Sequence, residues 1–195
     1  MASKIRNAFT CSMITALMVM SLTPATAHLQ SKGDSNDTTG PLDIRSSTFN
    51  DIDGEIRVST KTRGDWSLQT LGAGTAGDDA FFRWQFDSKG GTSNDGFRYT
   101  DYFVVVDNIE GELSGALFRW VPPYPTSEFK FMQEVPASRD GRTVKARFDS
   151  KLINPRDTFI DWLAETWLHP NSGPCSSGCY DANPNQDQNY YRHNL

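Results

Sequence analysis

Apolar and polar residues alternate with a period of two through much of this 195-residue chain from Leu42 onward. Leu42 and Ile44 alternate with Asp43 and Arg45, and Ile56 and Val58 alternate with Glu55, Arg57 and Ser59. Phe82, Trp84 and Phe86 share one face, with Arg83 and Gln85 on the other; Val144, Ala146 and Phe148 alternate with Lys145 and Arg147. Successive side chains of a strand point to opposite sides, so each segment reads as a strand with one buried face. Asp53-Gly54 is placed as a hairpin turn between two of them. Residues 102–106 are apolar on both faces and read as a central strand, 116–121 are nearly so, and Phe129 and Phe131 mark a further strand. Residues 158–168 fit either a strand or a helix, and their β-branched and aromatic content favours a strand. Residues 150–153 fit one helical turn. With no ten-residue amphipathic helix, the pattern predicts an all-β fold: a single antiparallel, jelly-roll-like β-sandwich of eight or nine strands over residues 42–195.

Residues 28–41 are polar and rich in turn formers, which predicts an extended leader. The glycine-rich stretch 71–77 reads as a loop; it has no βαβ context that would make it a phosphate cradle. The first 27 residues have a different character. Lys4 and Arg6 precede an uncharged apolar run from Ala8 to Leu22, followed by Thr23-Pro24-Ala25-Thr26-Ala27 with an Ala-x-Ala ending. The run is shorter than the roughly 18–20 residues of a membrane-spanning helix. It therefore reads as a secretory signal peptide cut after Ala27, giving a secreted or periplasmic protein with no membrane insertion after cleavage. A retained anchor is the alternative.

The whole chain carries 19 basic and 24 acidic residues, a net charge of −5. The cut removes Lys4 and Arg6, leaving 17 basic residues against 24 acidic, a net −7. That balance argues against nucleic acid and anionic membranes as partners and is permissive for metal cations and neutral glycans. Cys11 lies in the signal peptide, so Cys175 and Cys179 remain, and an exported chain predicts a disulfide between them.

Two terminal motifs and one strand carry a resemblance. Asp34-x-x-Asp37-x-x-Gly40-Pro41-Leu42-Asp43-Ile44, the ending Cys175-x-x-x-Cys179-x-Asp181-x-x-Pro184-Asn185, and the strand Asp79 to Asp87 resemble a group of exported bacterial β-sandwich proteins with no established activity. The overall shape is similar to carbohydrate-binding or DOMON-like sandwiches. The resemblance implies the fold and export, and no reaction.

Asp34, Asp37 and Asp43 bracket a turn, and Asp181 follows the cysteine pair. The two ends of a sandwich chain often lie together. Converging there, these carboxylates form an oxygen-rich site suited to calcium; capping of turn amides is the alternative use of the same side chains. Zinc bound by His169, Cys175, Cys179 and His193 competes with the disulfide. No Gly-x-Ser-x-Gly elbow occurs, which leaves a serine nucleophile poorly supported. A glycan hydrolase needs two facing carboxyls, for which Asp101, Asp107, Glu112, Asp161 and Glu165 are available. A haem-binding sandwich would need an axial Met132 or His169. Asn36-Asp37-Thr38 fits a glycosylation sequon, relevant only in a eukaryotic host. Among the aromatics, Trp66, Tyr99, Trp120 and Tyr124 have polar or loop neighbours and are candidates for stacking on sugar rings, with core packing as the alternative. The expectation is an exported, non-catalytic ligand-binding or structural module with a glycan as the leading ligand and calcium as its one cofactor. A carboxylate-based glycan hydrolase and an interaction protein without a small ligand are the alternatives.

Overall fold

A computed structural model describes residues 28–71, 79–88, 100–121, 128–153, 158–169, 175, 178–184 and 190–195. The first 27 residues, on which the expected signal peptide falls, residues 72–77 of the glycine-rich stretch, Tyr99 and Tyr124 lie outside them. Twelve strands are present among the described residues: β1 (His28–Gly33), β2 (Ile44–Ile52), β3 (Glu55–Thr62), β4 (Asp79–Asp87), β5 (Tyr102–Ile109), β6 (Glu112–Val121), β7 (Glu128–Glu134), β8 (Ala137–Asp140), β9 (Thr143–Asp149), β10 (Phe159–His169), β11 (Cys179–Asn183) and β12 (Tyr191–Asn194). They form a five-stranded sheet in the order β1-β2-β3-β9-β8 and a seven-stranded sheet in the order β11-β10-β4-β5-β6-β7, with β12 also paired to β10. Every pairing is antiparallel.

The period-two pattern fixes which faces meet. Phe49, Ile56, Val58, Val144, Ala146 and Phe148 point inward from the five-stranded sheet. Phe82, Trp84, Phe86, Val104, Leu117 and Trp162 answer from the other, each fully buried. Phe49 bridges the layers, its ring centroid 5.8 Å from Trp162 and 6.2 Å from Phe86. Burial of these rings dominates the favourable side of the folding balance, at roughly 1.5–3 kcal/mol for each large side chain.

Local chemistry sets the connections. Asp53 and Gly54 both have positive φ (53° and 77°), the geometry of a two-residue turn whose twist matches that of the flanking strands. Glu110 and Gly111 repeat it between β5 and β6, at 54° and 88°. The segment 158–168 is strand, as its composition favours, and lies in β10 between β4 and β11. Residues Ser150–Leu152 form a single 3-10 turn capped by Asp149, whose carboxylate accepts from the Lys151 amide at 2.9 Å.

Two expectations change. Twelve strands replace the eight or nine expected. The leader is only partly extended chain: its first six residues form β1 and pair with β2 along their whole length. The strand expected around Phe129 and Phe131 is β7, an edge strand with every residue exposed.

Candidate functional site

The turn between β1 and β2 is held from three sides. Arg63 donates its backbone amide to the Asp43 carbonyl at 2.7 Å, and Thr166 donates its hydroxyl to the Leu42 carbonyl at 2.8 Å. Thr38 donates its hydroxyl to the Tyr180 carbonyl at 3.2 Å. Gly40 has φ +122°, and a side chain there would meet Cys175 Sγ at 3.2 Å. The turn thus lies against the Cys175–Cys179 loop, which is closed by the expected disulfide with Cα atoms 5.1 Å apart. That bond removes both thiolates from the zinc alternative.

This packing brings Asp34, Asp37, Asp43 and Asp181 together, with one carboxylate oxygen from each lying within 4.8 Å of the others. The sequence separation of 138 residues between Asp43 and Asp181 is bridged because β11 runs beside the start of β2. Asp181 Oδ2 accepts from the Ile44 amide at 2.5 Å and its Oδ1 accepts from the Ala182 amide at 2.9 Å. Ser35 donates to Asp37 Oδ2 at 2.9 Å. Turn-capping therefore occupies part of the oxygen set. Asp34 Oδ2 and Asp43 Oδ1 are buried without a hydrogen-bond donor.

Crowding of like charges out of water has a titration consequence. Burial, then the charges of Asp181 and Asp37, raise the Asp34 carboxyl from its ordinary 3.8 to about 7. Burial raises Asp181 to about 6 against the lowering effect of its amide donor from Ile44, and Asp37 and Asp43 push the same way as burial. Asp43 is raised chiefly by burial, offset by Arg63, whose Nε lies 3.4 Å from Asp43 Oδ1. Arg63 also donates through Nη2 to the Asp34 carbonyl. It is the one member of the site that the pattern of aspartates gave no reason to expect.

A second buried charge sits on the outer face of the seven-stranded sheet. Glu165, 3 % exposed, accepts from Arg83 Nε at 2.5 Å, from Gln85 Nε2 at 2.6 Å and from the Tyr180 hydroxyl. Gln85 in turn accepts from Thr100 and from the Tyr190 hydroxyl, whose titration is pushed far upward by burial. The cross-strand register Glu165↔Arg83 places the pair. Every oxygen of Glu165 is engaged, as expected of a structural charge. Asp161 is held bidentately by Arg192 at 2.8 Å. Four residues apart on one strand, Asp161 and Glu165 are separated by about 13 Å of backbone, wider than the roughly 5–10 Å of paired glycosidase carboxyls.

The aromatic candidates fall elsewhere than on a platform. Trp66 is 2 % exposed: its Nε1 donates to the Arg142 carbonyl at 3.2 Å, and the Arg139 guanidinium lies over its ring. Trp120 is 8 % exposed and packs on Phe129 at 4.5 Å. Both rings are buried, Trp66 between Phe82 and the Arg139 guanidinium and Trp120 against Phe129. Met132 lies exposed on β7, away from any core axial position, and His193 is buried in β12 at the opposite end of β10 from His169. No helix among the described residues is long and apolar enough to cross a membrane. No known family model, curated protein or solved structure matches the chain.

Proposed function

We propose that the protein is an exported, non-catalytic β-sandwich module that binds a glycan and is stabilised by calcium held by Asp34, Asp37, Asp43 and Asp181. The observation that carries the calcium reading is the convergence of these four carboxylates, with Asp34 Oδ2 buried and without a donor. A donor set of hard oxygens, with neither nitrogen nor sulfur in it, suits calcium over zinc. Burial, reinforced by the neighbouring carboxylates, raises the titration of Asp34 and Asp181, and a divalent ion would offset both by displacing the protons the cluster otherwise retains near neutrality. Support for export comes from the signal-like first 27 residues, and support for the glycan from the resemblance drawn from the sequence to carbohydrate-binding sandwiches.

Thermal unfolding with calcium and with a chelator tests the metal. At a hundredfold excess of calcium over its Kd the gain is about 2.7 kcal/mol, a rise in Tm of roughly 5–10 °C for a chain of this size. Asp181→Asn removes most of that rise. Equal Tm values in calcium and chelator would sink the metal. A panel of neutral and anionic oligosaccharides tests the glycan, with saturable binding to one of them as the expected result.

A further inference from the structure

Where β3 meets β9, the outward positions of the five-stranded sheet gather three cations, Arg57, Lys145 and Arg147, in an otherwise acidic chain. We propose that this face is a binding groove for an anionic glycan, one carrying carboxylate or sulfate groups. The proposal rests on the glycan reading above and gives its ligand a charge and a place.

Antiparallel pairing of β3 with β9 sets Arg57 directly opposite Arg147, and Ser59 opposite Lys145. All three cations are exposed, and all three line a groove of about 540 Å³ whose other walls include Ser138 and Pro136. Like charges set directly opposite on one sheet face repel, so a sheet with no use for them gains by replacing one. Arg57 is partly neutralised by Glu55 at 2.5 Å and Lys145 by Asp140 at 3.0 Å. The guanidinium of Arg147 has no acidic partner among the described residues. An anion lying across β3 and β9 would be shared by Arg57 and Arg147 and would turn their repulsion into attraction.

The remaining lining selects the kind of anion. Thr48 and Ser59, hydrogen-bonded to each other at 2.6 Å, present hydroxyls to the groove, and Asn50 Oδ1 lies buried there without a donor. These groups match sugar hydroxyls. Among the described residues no aromatic side chain lines the groove, so they offer none of the stacking surface that single-stranded nucleic acids use.

The test measures binding of a short oligogalacturonide, dextran sulfate and uncharged dextran to the full exported chain by calorimetry, at low and high salt. Arg147→Gln and Lys145→Gln are exposed substitutions, and unchanged Tm values establish that both variants fold. The expected result is binding of a charged glycan and not of dextran, weakened about fivefold by each substitution and weakened further by salt. Binding of dextran that neither variant alters overturns the groove and leaves the glycan reading standing. Failure of all three glycans to bind overturns both. A single-stranded oligonucleotide that competes as well as oligogalacturonide overturns the assignment to a glycan.

Discussion

At Glu165 three donors converge on one carboxylate that is almost sealed from water, and the energetics of that arrangement are asymmetric. The intact cluster adds modestly to stability, because desolvating two charges offsets much of their attraction; removing one partner strands the others. Glu165→Ala should therefore destabilise the domain by about 3–5 kcal/mol, and Tyr180→Phe by about 1–2 kcal/mol, measured by denaturant unfolding. Equal, small effects of the two changes would show that water replaces the carboxylate freely. Glu165 was recognisable in the sequence as a carboxylate beside apolar strand residues. Its partners were not, since Arg83, Gln85 and Tyr180 reach it only through the β4-β10-β11 register. The aspartates behaved differently. Their clustering in two short motifs made the meeting legible, whereas the approach of Arg63 depended on how β3 leaves the sheet.

At the level of elements, strands with one buried face were readable because burial imposes alternation, as in β3, β4 and β9. Those that escaped notice pair without burying much. The β1 sequence His-Leu-Gln-Ser-Lys-Gly has no apolar face, and it is held by the β2 backbone and by side-chain bonds such as Trp162 Nε1 to Gln30 Oε1 at 2.7 Å. The four-residue β8 and β12 are too short to show a period. Burial of Trp66 and Trp120 was not legible for a related reason: polar neighbours in sequence do not report what packs against a ring. The Cys175–Cys179 loop is likewise an element whose work is positional. Gly178 sits with φ +89° where a side chain would strike Trp167 at 2.9 Å, and Gly40 lies against Cys175. A loop this small should contribute about 2 kcal/mol through restriction of the unfolded chain. Replacing both cysteines with serine is accordingly expected to lower Tm modestly and, by loosening the wall behind Gly40, to weaken calcium binding more than stability. Unaltered calcium affinity in that variant would separate the loop from the acidic site.

For the molecule as a whole, the acidic site couples stability to pH. In the native chain Asp34 and Asp181 titrate at about 7 and 6, against an ordinary 3.8. Between those values the folded state holds more protons than the unfolded one, so in chelator stability falls as pH rises from about 4 to about 8. Melting in chelator should thus occur at higher temperature at pH 5 than at pH 8, and calcium should narrow the gap by stabilising the deprotonated cluster at pH 8. A Tm in chelator that rises over the same interval would contradict the burial of these carboxyls. The two ends of the sandwich also meet: His28 Nδ1 lies 3.1 Å from the Asn194 carbonyl, and Gln30 bonds to the Arg192 carbonyl at 3.0 Å. A pull applied through residues 28 and 194 would therefore start at one corner and peel β1 and β12 from their neighbours bond by bond, without shearing the core. After about 20 Å of β1 the peeling front reaches Asp34. There an ion shared with Asp43 and Asp181 would act as a rivet, and calcium would set the force at which the sandwich opens more strongly than it sets the temperature at which it melts.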